Sequence, residues 1–158
     1  MEQFNGQLLN SNCYINGANY LGIATKVTLP KLTPKYQEQN GIGLSTPIDY
    51  DTGKLEKMSA VMVFDGIQQD IYSSIGTDIP MILRGVIRTK NKPIKVIAEM
   101  RGSISIDNGD IDNDSVGQTT VTMTLKYYRL NFDGKDVVEI DSVNGIRKIN
   151  GKNQLPKI

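Results

Sequence analysis

The sequence predicts a mainly β protein: two packed antiparallel sheets, sandwich-like or barrel-like, with one short flanking α-helix. Three observations carry that expectation. The longest apolar segments alternate strictly with polar residues, Asn-Gly and Asp-Gly pairs fall where such segments must reverse, and a single stretch shows a helical period.

The elements follow in order. Cys13, Tyr14 and Ile15, then Asn16-Gly17, then residues 20–23 read as a hairpin, because Asn-Gly accepts the positive φ of a tight turn. The second strand continues through Lys26, Val27, Thr28 and Leu29 to Pro30 and resumes over residues 32–37. Pro30 and Pro34 each lack a backbone donor, so this stretch is expected to be an edge or bent strand.

Over residues 38–56 the period dissolves into a segment with three glycines and a proline, long enough to count as a functional loop. Its Ile42, Leu44, Ile48 and Tyr50 are apolar, which suits either docking on a neighbour or folding back on the chain's own core.

Residues 57–64 alternate again as a strand. Asp65 then caps a short helix with Ile67, Ile71 and Ile75 on one face and Gly76 at its end. Three further strands cover 79–89, 94–107 and 118–132, the first turning into the second at Lys90-Asn91-Lys92-Pro93. A last strand, 137–143, follows the Asp133-Gly134 turn, and the tail 145–158 is expected to be extended.

The two long strands are the most informative. One face of 94–107 carries Ile94, Val96, Ala98, Met100, Ile104 and Ile106; the other carries Lys95, Ile97, Glu99, Arg101, Ser103 and Ser105. In 118–132, Thr119, Val121, Met123, Leu125 and Tyr127 oppose Gln118, Thr120, Thr122, Thr124 and Lys126. Such alternation places one face in a core and one in water. Fourteen residues at about 3.3 Å each reach roughly 45 Å, so the edges of this hairpin need partners. Copies of the chain closing a ring would supply them. A twisted hairpin in a monomeric β-sandwich would also do so, and the strand pattern alone favours the monomer.

Composition narrows the function classes. Eighteen Lys and Arg against 17 Asp and Glu leave a net charge of +1, which gives no general attraction to nucleic acid or anionic membrane. With no histidine in the chain, neither a Ser-His-Asp nor a Cys-His set is possible. Cys13, the single cysteine, reads as a small apolar strand residue. No phosphate-binding glycine motif occurs, and no cofactor is expected.

The best metal candidate is Asp110, Asp112 and Asp114, spaced like the opening of a calcium loop. Ser115 stands where that loop needs Gly, and Val121 where it needs a bidentate Glu, so an acidic hairpin tip is the favoured reading. The first twelve residues have no basic region or apolar run, and no stretch approaches the roughly 20 apolar residues of a membrane helix, which predicts folding in the cytosol.

Several blocks resemble a known family. They are Lys26-Val27-Thr28-Leu29-Pro30-Lys31-Leu32-Thr33, then Glu99-Met100-Arg101-Gly102, then Tyr128-Arg129-Leu130-Asn131-Phe132-Asp133-Gly134-Lys135-Asp136-Val137-Val138-Glu139-Ile140-Asp141, then Val143-Asn144-Gly145 with Lys148-Ile149-Asn150-Gly151. In this order and spacing they are similar to the major tail tube proteins of contractile-tailed phages and phage-tail-like bacteriocins, over nearly the whole chain.

The resemblance implies a single domain over 1–158, with an amino-terminal arm at 1–12, an assembly loop at 38–56 and a carboxy-terminal tail at 145–158. It implies six copies in a ring, long strands joined into an inner barrel, and rings stacked into a tube within a contractile sheath. Lys95, Glu99, Arg101, Ser103, Ser105, Gln118, Thr120, Thr122, Thr124 and Lys126 would face the bore. Ile42, Leu44, Pro47, Ile48 and Tyr50 would make ring-to-ring contacts. Implied partners are further copies of the chain, the sheath, baseplate and tail-terminator proteins, and DNA passing without specific binding. The protein would be made in the host cytoplasm and built into a virion tail or tail-like particle, whose tube would serve either DNA passage or the piercing of a membrane. A secretion-tube subunit and a monomeric β-sandwich binding module using the acidic tip are the alternatives.

Overall fold

The computed structural model describes residues 7–15, 18–19, 24–66, 69–90 and 92–155. The strands are β1 (Gln7–Ile15), β2 (Ala18–Asn19), β3 (Ala24–Thr28), β4 (Pro34–Gln39), β5 (Ile48–Leu55), β6 (Ser59–Phe64), β7 (Asp78–Arg88), β8 (Pro93–Asp107), β9 (Thr119–Phe132), β10 (Lys135–Asp141), β11 (Ile146–Ile149) and β12 (Lys152–Asn153). All pairings among them are antiparallel.

They form two sheets, as the alternation predicts, but of very unequal size. Ten strands make one sheet with the path β12-β11-β10-β9-β8-β7-β1-β2; β6 also joins β9, and β3 joins β6. The other sheet is the β4–β5 pair. Neither is closed into a barrel within one chain.

The large sheet forks along β9. Its residues 119–124 pair with β6, and residues 127–132 pair with β10. At the changeover, the Leu125 amide donates to the Met58 carbonyl and the Ser142 amide to the Lys126 carbonyl. The sheet folds over one apolar face, bringing the Cys13 thiol of β1 to 3.9 Å from the Met62 sulfur of β6. Met62, Phe64, Ile71, Met81, Met100, Val121, Met123 and Tyr128 are the largest apolar side chains sealed in this core. Such burial contributes roughly 1.5–3 kcal/mol per large apolar side chain.

The long strands differ from expectation at one residue. Between Arg101/Tyr127 and Gly102/Leu125 the register slips, leaving Lys126 as the extra residue of a β-bulge. A bulge reverses the in–out phase beyond it. Tyr127, expected in the core face with Leu125, therefore lies on the polar face, where its hydroxyl donates to Glu139. Tyr128 takes the core position and is 2 % exposed.

The expected α-helix is a 3-10 helix, Gln69–Ser74. With three residues per turn, positions i and i+3 share a face. Ile71 and Ser74 are therefore buried together while Ile75 is 50 % exposed. Ile67 lies outside the described residues, as do Asn16, Gly17 and residues 20–23 of the predicted first turn. Residues 7–12, expected in an amino-terminal arm, belong to β1 and pair along β7.

The tail also differs from expectation. Val138 to Asp141 pair with β11, which pairs with β12, so the segment after residue 145 extends the sheet. Asn150 (φ 51°) and Gly151 (φ 83°) form the two-residue turn between those strands, and Asp133 (φ 51°) with Gly134 (φ 87°) does the same between β9 and β10. Both central residues of that turn type need positive φ, which Asn-Gly and Asp-Gly supply at little cost.

Candidate functional surfaces

Two surfaces carry the features that the sequence singled out. The first is the polar face of β8 and β9. Lys95, Arg101, Ser103, Ser105, Gln118 and Lys126 are exposed there, and Glu99, Thr120, Thr122 and Thr124 are partly buried. All ten lie on the side opposite the core.

Register divides this face into two zones. In one, Ser103 lies opposite Thr124, itself opposite Ser59 of β6, and Ser105 lies opposite Thr122, giving a hydroxyl-rich ladder. In the other, charges are partly matched, Lys95 and Arg101 being exposed there with no ion pair among the described residues. Lys126 Nζ meets Asp78 at 2.6 Å, the Arg129 guanidinium meets Glu99 at 2.7 Å, and Lys148 lies 3.9 Å from Glu139. Burial would raise the Asp141 carboxyl, but hydrogen bonds from Asn144 and Val143 and the nearby Arg101 outweigh it and hold the carboxyl below its ordinary value.

Glu99 is committed to Arg129, its direct cross-strand partner. Asp78 and Arg129 were missed, since recognising them requires the register.

The second surface is the arm. Residues 38–56 are not an irregular loop: β4 and β5 pair from Pro34↔Leu55 to Gln39↔Ile48, and the β-hairpin projects from the body. Ile42, Leu44, Ile48 and Tyr50 are exposed, so folding back on the chain's own core is excluded for them. Ile48 and Tyr50 share one face with Gln37 and Gln39, and Ile42 and Leu44 sit in the connecting turn, closed by the Leu44 amide donating to the Gly41 carbonyl. Pro47 lies just before β5 and is exposed. Tyr36, which sequence reasoning passed over, is exposed on the other face.

One ion pair fixes the arm's base. The two terminal guanidinium nitrogens of Arg147 donate to the Asp51 carboxylate, at 3.2 and 2.8 Å. The Arg147 side chain is 11 % exposed and that of Asp51 is 40 %. The Arg147 hydrogen bond, with another from the Gly53 amide, holds the Asp51 carboxyl below its ordinary value.

A group with a depressed folded pKa stabilises above its unfolded pKa, about 3.9 for Asp, and loses that contribution as pH falls through the lower folded value. Asp51→Asn at pH 6 is therefore expected to speed amide exchange across residues 34–55. Because an exposed pair contributes little to global stability, the melting temperature should shift by no more than about 3 °C. As pH falls below the ordinary carboxylate range, the difference between parent and variant should shrink. Unchanged exchange at pH 6 would refute the tether.

Beside this base lies a cleft of 380 Å³, floored by Met58, Leu125 and Ile140 and walled by Leu55, Ile146 and Leu155. It sits in the fork of the large sheet, between the β6 and β10 branches.

The acidic tip does not gather ligands. Asp112 accepts from the amides of Asp114 and Ser115 at 2.9 and 2.7 Å, which caps the turn and lowers its pKa, and Ile111 bridges Val116 beside it. Among the described residues no group of three His, Cys, Asp or Glu side chains is placed to hold a metal. Burial pushes the Cys13 thiol up to about 11, which suits its reading as an apolar strand residue. No helix among the described residues is long and apolar enough to cross a membrane.

An all-antiparallel body, a long polar face and a projecting apolar arm suit a structural subunit. The chain belongs to the phage tail tube protein FII family, which matches residues 5–158. It is 34 % identical to the tail tube protein of Escherichia phage P2, covering 91 % of this chain and 89 % of that protein. It is 35 % identical to the major tail tube protein of Serratia phage KSP20, covering 90 % and 86 %. Both are tubes of contractile-tailed phages, and this chain is a structural subunit of such an inner tail tube.

Proposed function

We propose that six copies form a ring, that rings stack into a hollow tube inside the contractile sheath, and that the tube works mechanically and not by catalysis. The polar face of β8 and β9 lines the bore, with Lys95, Glu99, Arg101, Ser103, Ser105, Gln118, Thr120, Thr122, Thr124 and Lys126 toward water. The observation that supports this reading is the long polar face itself, hydroxyl-rich over Ser103, Ser105, Thr122 and Thr124 and partly charge-matched beyond. Lys126 and Arg129 have carboxylate partners, while the exposed Lys95 and Arg101 take part in no ion pair among the described residues. Two such cations on a face otherwise of hydroxyls and paired charge leave a passing polyanion few places on which to stick, so DNA can move through without specific binding.

The arm, with Ile42, Leu44, Pro47, Ile48 and Tyr50, makes the ring-to-ring contacts. Sheath, baseplate and terminator proteins bound the tube, and the chain is made in the host cytoplasm before it enters the virion. Such contacts are heterologous, closed by rotation within a ring and open along the axis.

Light scattering and negative-stain microscopy across a concentration series test the reading. Rings and tubes with a central hole are expected. A compact monomer at every concentration, also with tail partners present, overturns it.

A further inference from the structure

We infer that Asn40 is a modification site of this chain, an asparagine whose side-chain amide converts spontaneously to a carboxylate. Asn40-Gly41 follows β4 and opens the arm's turn. In an Asn-Gly pair the glycine amide nitrogen can attack the asparagine Cγ. A new N–C bond forms, and the side-chain nitrogen leaves as ammonia, taking the amide proton with it. The succinimide so made takes up water, and either of its ring C–N bonds breaks. One product is aspartate. The other is isoaspartate, in which the main chain runs through the side-chain carbons. Water is the only co-reactant, and nothing is oxidised or reduced.

The fold, and not the residue pair alone, selects the site. Closing the ring requires the glycine nitrogen to swing behind the side-chain carbon, which a segment held by hydrogen bonds resists. Three other Asn-Gly pairs lie among the described residues, and each is held. At Asn108-Gly109 the Gly109 amide donates to the Asp107 carboxylate at 3.0 Å, and the Tyr72 hydroxyl donates to the Asn108 side chain. At Asn144-Gly145 the main-chain and side-chain amides of Asn144 donate to the two carboxylate oxygens of Asp141, at 3.1 and 2.7 Å. Asn150-Gly151 forms the turn between β11 and β12, where the Asn150 amide donates to the Val137 carbonyl at 2.7 Å and Ile149 pairs with Lys152.

Asn40-Gly41 is different. Both residues are exposed, and no hydrogen bond among the described residues engages the Asn40 side chain or the Gly41 amide. A Cβ on Gly41 would meet only the Leu44 Cδ1, at 3.8 Å, so the ring has room to close. The product alters the arm. Its strands already set Glu38 opposite Asp49, where like charges repel, and a carboxylate at position 40 adds a further negative charge to that end. The charge of the arm therefore changes with the age of the protein.

Trypsin sorts the four pairs into separate peptides, residues 36–54, 102–126, 136–147 and 149–152. The unassembled full chain is aged at mildly alkaline pH and each peptide is followed by mass spectrometry, with enzymatic methyl transfer marking isoaspartate. Peptide 36–54 should convert at least about tenfold faster than the other three, each of which must first break hydrogen bonds. In concentrated urea the four rates should converge, since only the fold separates them. Gly41→Ala, whose Cβ the turn accommodates, should keep the parent's melting temperature and slow conversion about tenfold or more, because the methyl hinders the attacking nitrogen. Conversion of 36–54 no faster than the others in the folded chain overturns the assignment. A lead that persists undiminished in urea, or a Gly41→Ala protein that converts as fast as the parent, does so too.

Discussion

Gly102→Ala is expected to cost roughly 3 kcal/mol or more and to lower the melting temperature by about 10 °C, or to prevent soluble expression. A Cβ at this position would lie 1.9 Å from the Thr124 carbonyl oxygen, 2.8 Å from its carbon and 3.0 Å from Leu125 Cα. All three are backbone atoms of β9, so no side-chain rotation can relieve the overlap. β8 and β9 would have to part at the bulge, where Lys126 is the extra residue.

The consequence reaches past one contact. The bulge sets the phase that puts Tyr128 and Leu130 against the core and Arg129 opposite Glu99. Without it, everything beyond Lys126 would exchange faces. Ser103→Ala, one residue away and exposed, is the control and should melt within about 0.5 kcal/mol of the parent. Urea unfolding of both variants decides the matter, and a Gly102→Ala protein as stable as its control removes the bulge from the account.

What was legible in the sequence tracks what is buried. Residues 94–107 and 119–125 alternate because one face of each strand packs into the core, and over those residues the core face was assigned correctly, the error beginning at Tyr127. The bulge was not predicted, since one inserted residue leaves no periodic trace; the only local mark is a lone glycine inside the strand opposite, at Gly102. The helix was misread for a related reason. Ile67, Ile71 and Ile75 fit a period of 3.6, but the six residues Gln69–Ser74, soon followed by Gly76 with φ of 84°, fold as a 3-10 helix.

The arm was the largest miss. Ile48, Tyr50 and Thr52 do alternate with Asp49 and Asp51, yet a hairpin with no buried face has no apolar side to report itself. Its tether could not be read at all, because Asp51 and Arg147 are 96 residues apart. Asn150-Gly151 was a visible turn signal, but strands as short as β11 and β12 offer too little pattern on either side of it.

Ile42→Asp or Leu44→Asp is expected to abolish stacking while leaving the subunit folded. The two side chains contribute nothing to the core, since both project from the arm's turn into water. Unfolding of either variant should therefore match the parent within about 0.5 kcal/mol. At a docked interface the balance reverses. Each lost apolar side chain removes roughly 1.5–3 kcal/mol of burial, and the new carboxylate adds a desolvation cost of several kcal/mol. In the proposed six-membered ring a junction would repeat that penalty at every arm, so even a modest cost per contact would become prohibitive when all must form together.

Ile42→Val and Leu44→Met, which keep apolar character and nearly the same volume, should still stack. Sedimentation velocity separates single rings from tubes, and microscopy measures tube length. Tubes of parental length from either aspartate variant mean that the arm's exposed residues do not dock, whatever else joins the rings.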